Sequence, residues 1–473
     1  MTMANSHLEQ EFAQSFVQFV DASPTPFHVC KTAASKLEEA GFKRLSETDS
    51  WKSNGALKQG GRYFYTRNSS TLVAFCVGGN FVAGNGFKVV GAHTDSPVLK
   101  VKPNSYKRAH EYLQVGVECY GGGLWHTWLD RDLGIAGRVI VYTGKEKFSQ
   151  RLVHIKQPIL RVPSLAIHLQ SGNERSALKL NKEDHLTPVL GQIAGELNAK
   201  NSVEDDDLDD RHPPALLRVL AQEIGCNPAD IVDVELSLCD IQNGTLGGVN
   251  KEFVFTPRVD NQSHCFTGIS SIIDHACSGA LAEDDAVSIV ALFDHEEVGS
   301  NSNEGAGSPI MRDAIIRISG CFAMAEDSEL FKIGLAKSLL FSCDAAHAIH
   351  PNYASKHERN HQPKIGKGTV IKTNQNQRYA TNCVTGFVVR ELCKRNKLPF
   401  QEFVVRNDCP CGSTIGPILA HYVGIRTVDI GIPQLSMHSI RETCGVKDLF
   451  TNFQLLNSFF RDGLKVLSSI SED

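Results

Sequence analysis

Apolar residues recur at helical spacing near the start of the chain. Leu8, Phe12, Phe16 and Phe19 share one face of residues 7–21, which predicts an amphipathic helix. That stretch carries no lysine or arginine, so it reads as a helix docked on protein rather than on an anionic membrane. SPTPFH follows as a turn, and a second helix runs through KTAASKLEEAG to a stop at Gly41. The period then shortens. RYFYTR, STLVAFCVG and FKVVGAH read as strands, the last ending at His93.

From about Pro103 the pattern changes again. LQVGVECYGGG, GIAGRVIVYTG and RLVHIKQPILRV are β-rich, with glycine clusters between them. Helical spacing returns in PALLRVLAQEIG. From GGVNKEFVFTPRVDN onward, short apolar runs (AVSIVALFD, KSLLFSCD, IRTVDIGIP) alternate with helical segments such as NCVTGFVVRELCKRN. That alternation predicts an α/β fold with buried strands. The simplest organisation is a discontinuous α/β domain, 1–100 plus 248–473, interrupted by a β-rich insertion at 101–247. No repeat of fixed period is present, which argues against a solenoid.

Length supports two domains, since 473 residues exceed one ordinary core. The net charge of −5 is spread over mixed signs, giving no reason to expect nucleic acid or a membrane surface as partner. The acidic run at 204–210 reads as a solvated loop. MTMANSHLEQEF lacks the basic and apolar parts of a secretory leader, and no apolar stretch approaches the roughly 20 residues that span a bilayer. A cytoplasmic protein is expected. The 14 cysteines sit mostly in apolar runs and read as core thiols. Cys409 and Cys411 form a CxC that reads as a turn, because no second thiol pair flanks it.

The candidate chemistry lies where strands end. His93 and Asp95 follow FKVVGA. Asp260 follows EFVFTPRV. Asp294, His295, Glu296 and Glu297 follow SIVALF. Asp344 and His347 follow SLLFSC, and His438 lies seven residues beyond RTVDIG. Ligand sites of open α/β sheets form at the carboxyl ends of strands. One histidine there is usually structural. Histidines and carboxylates at several strand ends predict a metal rim. If Glu296 and Glu297 are extended, their side chains point to opposite sides. One then binds metal and the other faces the water to be activated.

These strings carry a resemblance. GAHTDSP (91–97), PRVDNQ (257–262), FDHEEVGS (293–300), SCDAAHAIHPNY (342–353) and SMHSIRE (436–442) closely resemble the aspartyl aminopeptidase family, in the family's order. GGGLWHTWLDRDLGIAGRV (121–139) extends the match into the insertion. The resemblance implies a mixed-sheet peptidase domain holding two divalent metals, with Asp260 as bridge. His93 and Asp344 would complete one metal, and Glu297 and His438 the other. It implies Glu296 as general base and Asp95 as the partner orienting the His93 ring. All five ligands are oxygen or nitrogen donors, which suits zinc and also admits manganese or cobalt.

It further implies removal of an N-terminal Asp or Glu from peptides. Asp344 and Glu296 are carboxylates able to take the substrate α-amine. Lys372 and Tyr379, in GTVIKTNQNQRYAT, would contact the acidic side chain, with His347 nearby. The family assembles as tetrahedral dodecamers through its inserted dimerisation domain. His168 would reach a neighbour's site and stabilise the reacting carbonyl. Two other readings stand beside this one. Another two-metal amidohydrolase (a neutral aminopeptidase, carboxypeptidase or deacylase) would keep the same ligands but not Lys372 and Tyr379. A non-catalytic scaffold would be expected to lose Glu296 or a ligand, and neither is lost.

Overall fold

The computed structural model describes residues 3–53, 55–193, 210–324 and 328–471. The acidic run at 204–210 lies outside the described residues except for Asp210. The chain divides into two compact units. One comprises residues 1–95, 244–437 and 442–473; the other comprises 96–243 and 438–441.

The first unit is built on a nine-stranded mixed sheet. Its centre is four parallel strands in the order Val287–Phe293, Phe87–His93, Leu339–Cys343 and Arg426–Gly431. The flanks are antiparallel where they meet that centre: Thr71–Val77 on one side and Thr369–Lys372 on the other. All seven residues of both Phe87–His93 and Val287–Phe293 are buried. They are buried on both faces, which is why their sequences are almost continuously apolar. Val290 and Leu292 face one apolar core, shared with helices Val259–Cys277 and Val446–Ser468. Ile289, Ala291 and Phe293 face another, shared with Ile310–Phe322 and Ile415–Val423. The result is a three-layered α/β/α body, as the alternating pattern predicts.

A second, five-stranded sheet of this unit joins Thr245–Gly247, Phe253–Thr256, Glu442–Gly445, Pro433–Leu435 and Ala346–His347. Gly431, ending the last parallel strand, is required by close approach. A β-carbon there would stand 2.2 Å from the Asp344 carbonyl oxygen.

Two N-terminal details differ from the expectation. The first helix spans Met3–Ala22, but Leu8 does not join its packed face and is 51% exposed. Packing is carried by Phe12, whose ring lies 5.0 Å from that of Phe266, and by the buried Phe16 and Phe19. The SPTPFH turn is shorter than predicted, because the second helix, Pro26–Glu39, already starts at Pro26. Proline's fixed φ suits a first helical position.

The second unit holds a six-stranded antiparallel sheet, ordered Lys147–Leu160, Leu133–Gly144, Ile231–Asp240, Val98–Ala109, Tyr112–Tyr120 and Val189–Gln192. Helix Pro214–Ile224 packs Leu216, Leu217 and Leu220 on its own apolar core and ends at Gly225 in the left-handed conformation. Among the described residues, no helix is long and apolar enough to cross a membrane.

Candidate metal centre

The four parallel strands of the first unit all point their carboxyl ends the same way. His93 is the last residue of one, Asp344 follows another directly, and Asp294 follows a third. Asp260 arrives differently. It follows Phe253–Thr256 of the smaller sheet and opens helix Val259–Cys277, where Asp260 and Asn261 still have non-helical backbone angles.

Within the first unit, two overlapping triplets of donors result among the described residues: His93, Asp260 and Asp344, and His93, Glu296 and Glu297. In each, one ligand atom per residue lies within 4.8 Å of the others. His93 Nε2 stands 3.2 Å from Asp260 Oδ1 and 3.9 Å from Glu296 Oε2. On its other side, Nδ1 lies 3.0 Å from the Asp95 carbonyl and 3.3 Å from Asp95 Oδ1. A ring held at Nδ1 presents Nε2 for ligation.

Glu296 and Glu297 are not extended. His295 takes a left-handed φ of 62° and breaks the strand, and the two glutamates enter a 3-10 turn, Glu296–Val298. Their backbone N–H groups then both donate to Asp95, to Oδ1 at 3.1 Å and Oδ2 at 3.0 Å. Asp95 therefore ties the His93 strand end to the glutamate turn. That pairing needs the tertiary fold and leaves no mark in local spacing.

The electrostatics are those of crowded acids. Burial raises the Glu296 carboxyl well above the usual range. The His93 ring opposes this, while Asp344 and Glu297 add to it. Asp344 is pushed up to about 6 by burial, against Lys372 and with Asp260. For His93, burial disfavours the charged ring, but hydrogen bonds to Asp260 and Asp95 and the charge of Glu296 outweigh it and raise its pKa. Buried acids of one sign at this spacing call for a cation.

The donor set fits a divalent ion of the zinc type. It is made of imidazole and carboxylate. A neighbouring thiol, Cys265, donates to the His93 carbonyl at 2.9 Å, and burial pushes its pKa up to about 12, so it stays protonated.

Beside the acids sits a buried cation. Lys372 is 2% exposed, donates from Nζ to the Ala345 carbonyl at 3.1 Å, and lies 3.8 Å from Asp344 Oδ2. Its ammonium is 5.0 Å from the centre of the Tyr379 ring. Burial raises the Tyr379 pKa, so the phenol remains a donor. His347 is exposed on the strand Ala346–His347, its ring edge-on to Phe403 at 5.9 Å.

The remaining two residues belong to the second unit. His438 has φ 65°, and its Nδ1 lies 2.8 Å from the Gly122 carbonyl. His168 is exposed in the short turn Ile167–Leu169.

Several supporting residues carry no obvious mark in the sequence. Glu442, buried, accepts the Asp260 N–H at 2.9 Å. Asn261 donates to the Cys343 carbonyl at 2.7 Å and pairs with His264 Nδ1 at 2.5 Å. Burial and the nearby Lys372 charge hold His264 down to about 3, so its ring is neutral. Asp429, cross-strand from Lys372, accepts the Ala380 N–H and the Thr414 hydroxyl, both at 2.6 Å. It thereby fixes the segment bearing Tyr379. The available signal for Asp429 was a carboxylate inside the apolar run RTVDIG.

Fold and site together define a metal-dependent hydrolase of the α/β/α type. Its family follows from comparison. Residues 19–460 match the model of the aminopeptidase I zinc metalloprotease family, M18, and the chain belongs to that family. It is 50% identical to a probable aspartyl aminopeptidase of Ricinus communis, covering 97% of this chain and 96% of that one. Among solved structures, it matches a chain of the Ape4–Nbr1 complex with a TM-score of 0.94 at 43% identity, covering 98% of this chain and 88% of that one. It also matches the S. cerevisiae mApe1 dodecamer with a TM-score of 0.87 at 32% identity, covering 98% and 99%. The chain is thus a zinc-dependent aminopeptidase.

Proposed function

We propose that this enzyme removes an N-terminal Asp or Glu from peptides. One observation carries the specificity: a buried ammonium, Lys372, beside the metal-binding carboxylate Asp344, with the Tyr379 phenol next to it. An acidic side chain entering here meets a cation and a hydroxyl donor. A charge-assisted hydrogen bond of this type contributes roughly 1.5–3 kcal/mol, enough to favour Asp over an uncharged residue by about 10- to 150-fold. Several relatives of similar length are named aspartyl aminopeptidases, which supports the reading.

For the ligands, His93 and Asp344 would hold one zinc and Glu297 and His438 a second, with Asp260 between them. The Gly122 carbonyl at His438 Nδ1 supports Nε2 as its ligating nitrogen. When bound, the metals polarise the scissile carbonyl and lower the pKa of water. The protein's own groups do the rest. Glu296 accepts the proton of the attacking water and returns it to the leaving amine. Asp95 keeps His93 and the glutamate turn in register. Asp344 and Glu296 attract the substrate α-ammonium, and His347 borders the entering residue.

We further propose a homo-oligomer, specifically a tetrahedral dodecamer, in which residues 96–243 form the inserted contact domain and His168 serves a neighbouring subunit's site. Leu165, Ile167 and Leu169 around His168 are 53%, 60% and 73% exposed, an apolar stretch suited to burial against another chain. The solved yeast mApe1 relative is a dodecamer. None of the 14 cysteines is joined in a disulfide, which suits a reducing, cytoplasmic setting.

The test is Lys372→Met. Turnover of N-terminal Asp and Glu peptides should fall about 10- to 150-fold, far more than any residual turnover of N-terminal Ala. An equal loss on every substrate would mean that Lys372 serves the fold or the metals instead.

A further inference from the structure

Gln434 is 1% exposed, and among the described residues neither its Oε1 nor its Nε2 has a hydrogen-bond partner. Buried carboxamides are normally satisfied. This one lies on strand Pro433–Leu435, in register with His347, and its own carbonyl accepts the Ala348 N–H at 2.9 Å. Gln434 and His347 both line a cavity of about 300 Å³, walled further by His350, His357, Phe403 and Met437. Phe403 also lies near Tyr379, its ring centre 6.5 Å from that of Tyr379. The cavity therefore adjoins the Lys372–Tyr379 cluster.

The two wall histidines are fixed in orientation. The His350 N–H donates to His357 Nε2 at 3.1 Å, and His350 Nδ1 accepts the Asn352 N–H at 3.2 Å. In their neutral forms this leaves the ring protons on His357 Nδ1 and His350 Nε2. The cavity thus offers N–H donors together with a carboxamide that needs one donor and one acceptor. A carboxylate would satisfy Nε2 but oppose Oε1. The N–H and C=O of one extended residue point to the same side of the chain and satisfy both.

We propose that this cavity receives the peptide chain beyond the scissile bond, with Gln434 clasping one extended substrate residue. Nε2 donates to that residue's carbonyl, and Oε1 accepts its N–H. This inference rests on the aminopeptidase reading above. The clasped residue is the third or fourth of the substrate, because the N–H of the second belongs to the scissile bond, so the N–H that Oε1 accepts lies in the second or third peptide link.

The experiment uses the zinc-loaded enzyme and three kinds of substrate. These are Asp-Ala-Ala-Ala amide, its two analogues with an ester in place of the second or third peptide link, and an Asp anilide without downstream peptide. For the wild type, one ester analogue should lose about 5- to 30-fold in kcat/KM, because Oε1 loses its donor. Gln434→Met keeps the length of the side chain and removes both polar ends. Its loss on the tetrapeptide should exceed its loss on the anilide by the same factor, and the sensitive ester should cost it nothing further. Wild-type turnover of both esters at the amide rate overturns the proposal. So does an equal loss on tetrapeptide and anilide, or a change in Asp-over-Ala preference on anilides, which would assign the cavity to the first side chain. The ester comparison stands even if Gln434→Met does not fold. Absence of wild-type turnover on both Asp substrates would instead overturn the aminopeptidase reading itself.

Discussion

Strand Phe87–His93 carries a buried basic group near each end, and the two ends have opposite charge balances. At the Lys88 end, the ammonium donates to Asp284 Oδ2 at 2.5 Å and to the Phe460 carbonyl, and His275 Nε2 lies 3.2 Å from the same carboxylate. Burial alone would raise the Asp284 pKa, but His275 and Lys88 outweigh it and hold the carboxyl below its usual value. At the His93 end, Asp95, Asp260, Glu296, Glu297 and Asp344 gather around one imidazole and one lysine. There Glu296 and Asp344 are pushed up instead. One end is neutralised by the protein itself, and the other would be completed by an ion from outside. At these two ends the sign of the shift follows whether basic groups or other acids dominate the surroundings of the buried carboxylate.

The largest test of this contrast is at the metal end. Glu296→Gln keeps the shape of the base but cannot accept a proton. It should lower kcat by about 10²–10⁴ with zinc content unchanged. Near-normal turnover would remove Glu296 from the chemistry. The next test is at the opposite end. Lys88→Met leaves Asp284 buried without its cation, a change that typically costs about 3–5 kcal/mol. Denaturant unfolding should show that loss, while zinc content at saturating metal stays at the wild-type level. If the metal is lost in proportion to stability, the two ends are not independent.

A smaller effect belongs to Asp95, which serves the site without being among the proposed ligands. Asp95→Asn replaces an acceptor of one glutamate-turn N–H with a donor. Competition with a chelator should reveal zinc affinity reduced about 10- to 100-fold, with little change in kcat once the enzyme is fully loaded. Unchanged affinity would mean the turn holds its shape without Asp95.

The two ends also differ in how much of them the sequence revealed. Polar residues that stop an apolar run are conspicuous, so His93, Asp344 and the glutamates stand out in the sequence itself. Lys88 sits inside its run and looks like an ordinary outward-facing residue. Its partners come from distant segments, and nothing local marks them. Asp95's second role is hidden because it depends on His295 adopting a left-handed angle. Gln434 is hidden because an amide in a short strand carries no charge signal. The three-layer fold is legible from alternation alone. The smaller sheet is not, because its strands are only two to four residues long, too short to show a period.

The parallel centre of the sheet has a consequence for how the protein is made. Phe87–His93 is apolar between Lys88 and His93, yet its neighbours in the sheet, Val287–Phe293 and Leu339–Cys343, are encoded roughly two hundred residues or more further on. During synthesis this strand emerges early and must wait for the intervening unit to be translated before it can pair. A nascent chain at that stage exposes unpaired strand edges of the kind that invite aggregation. The arrangement that brings distant strand ends to one metal site therefore makes the young chain a natural client for chaperones. Ribosome-bound chains halted before and after residue 343 should differ sharply in protease resistance.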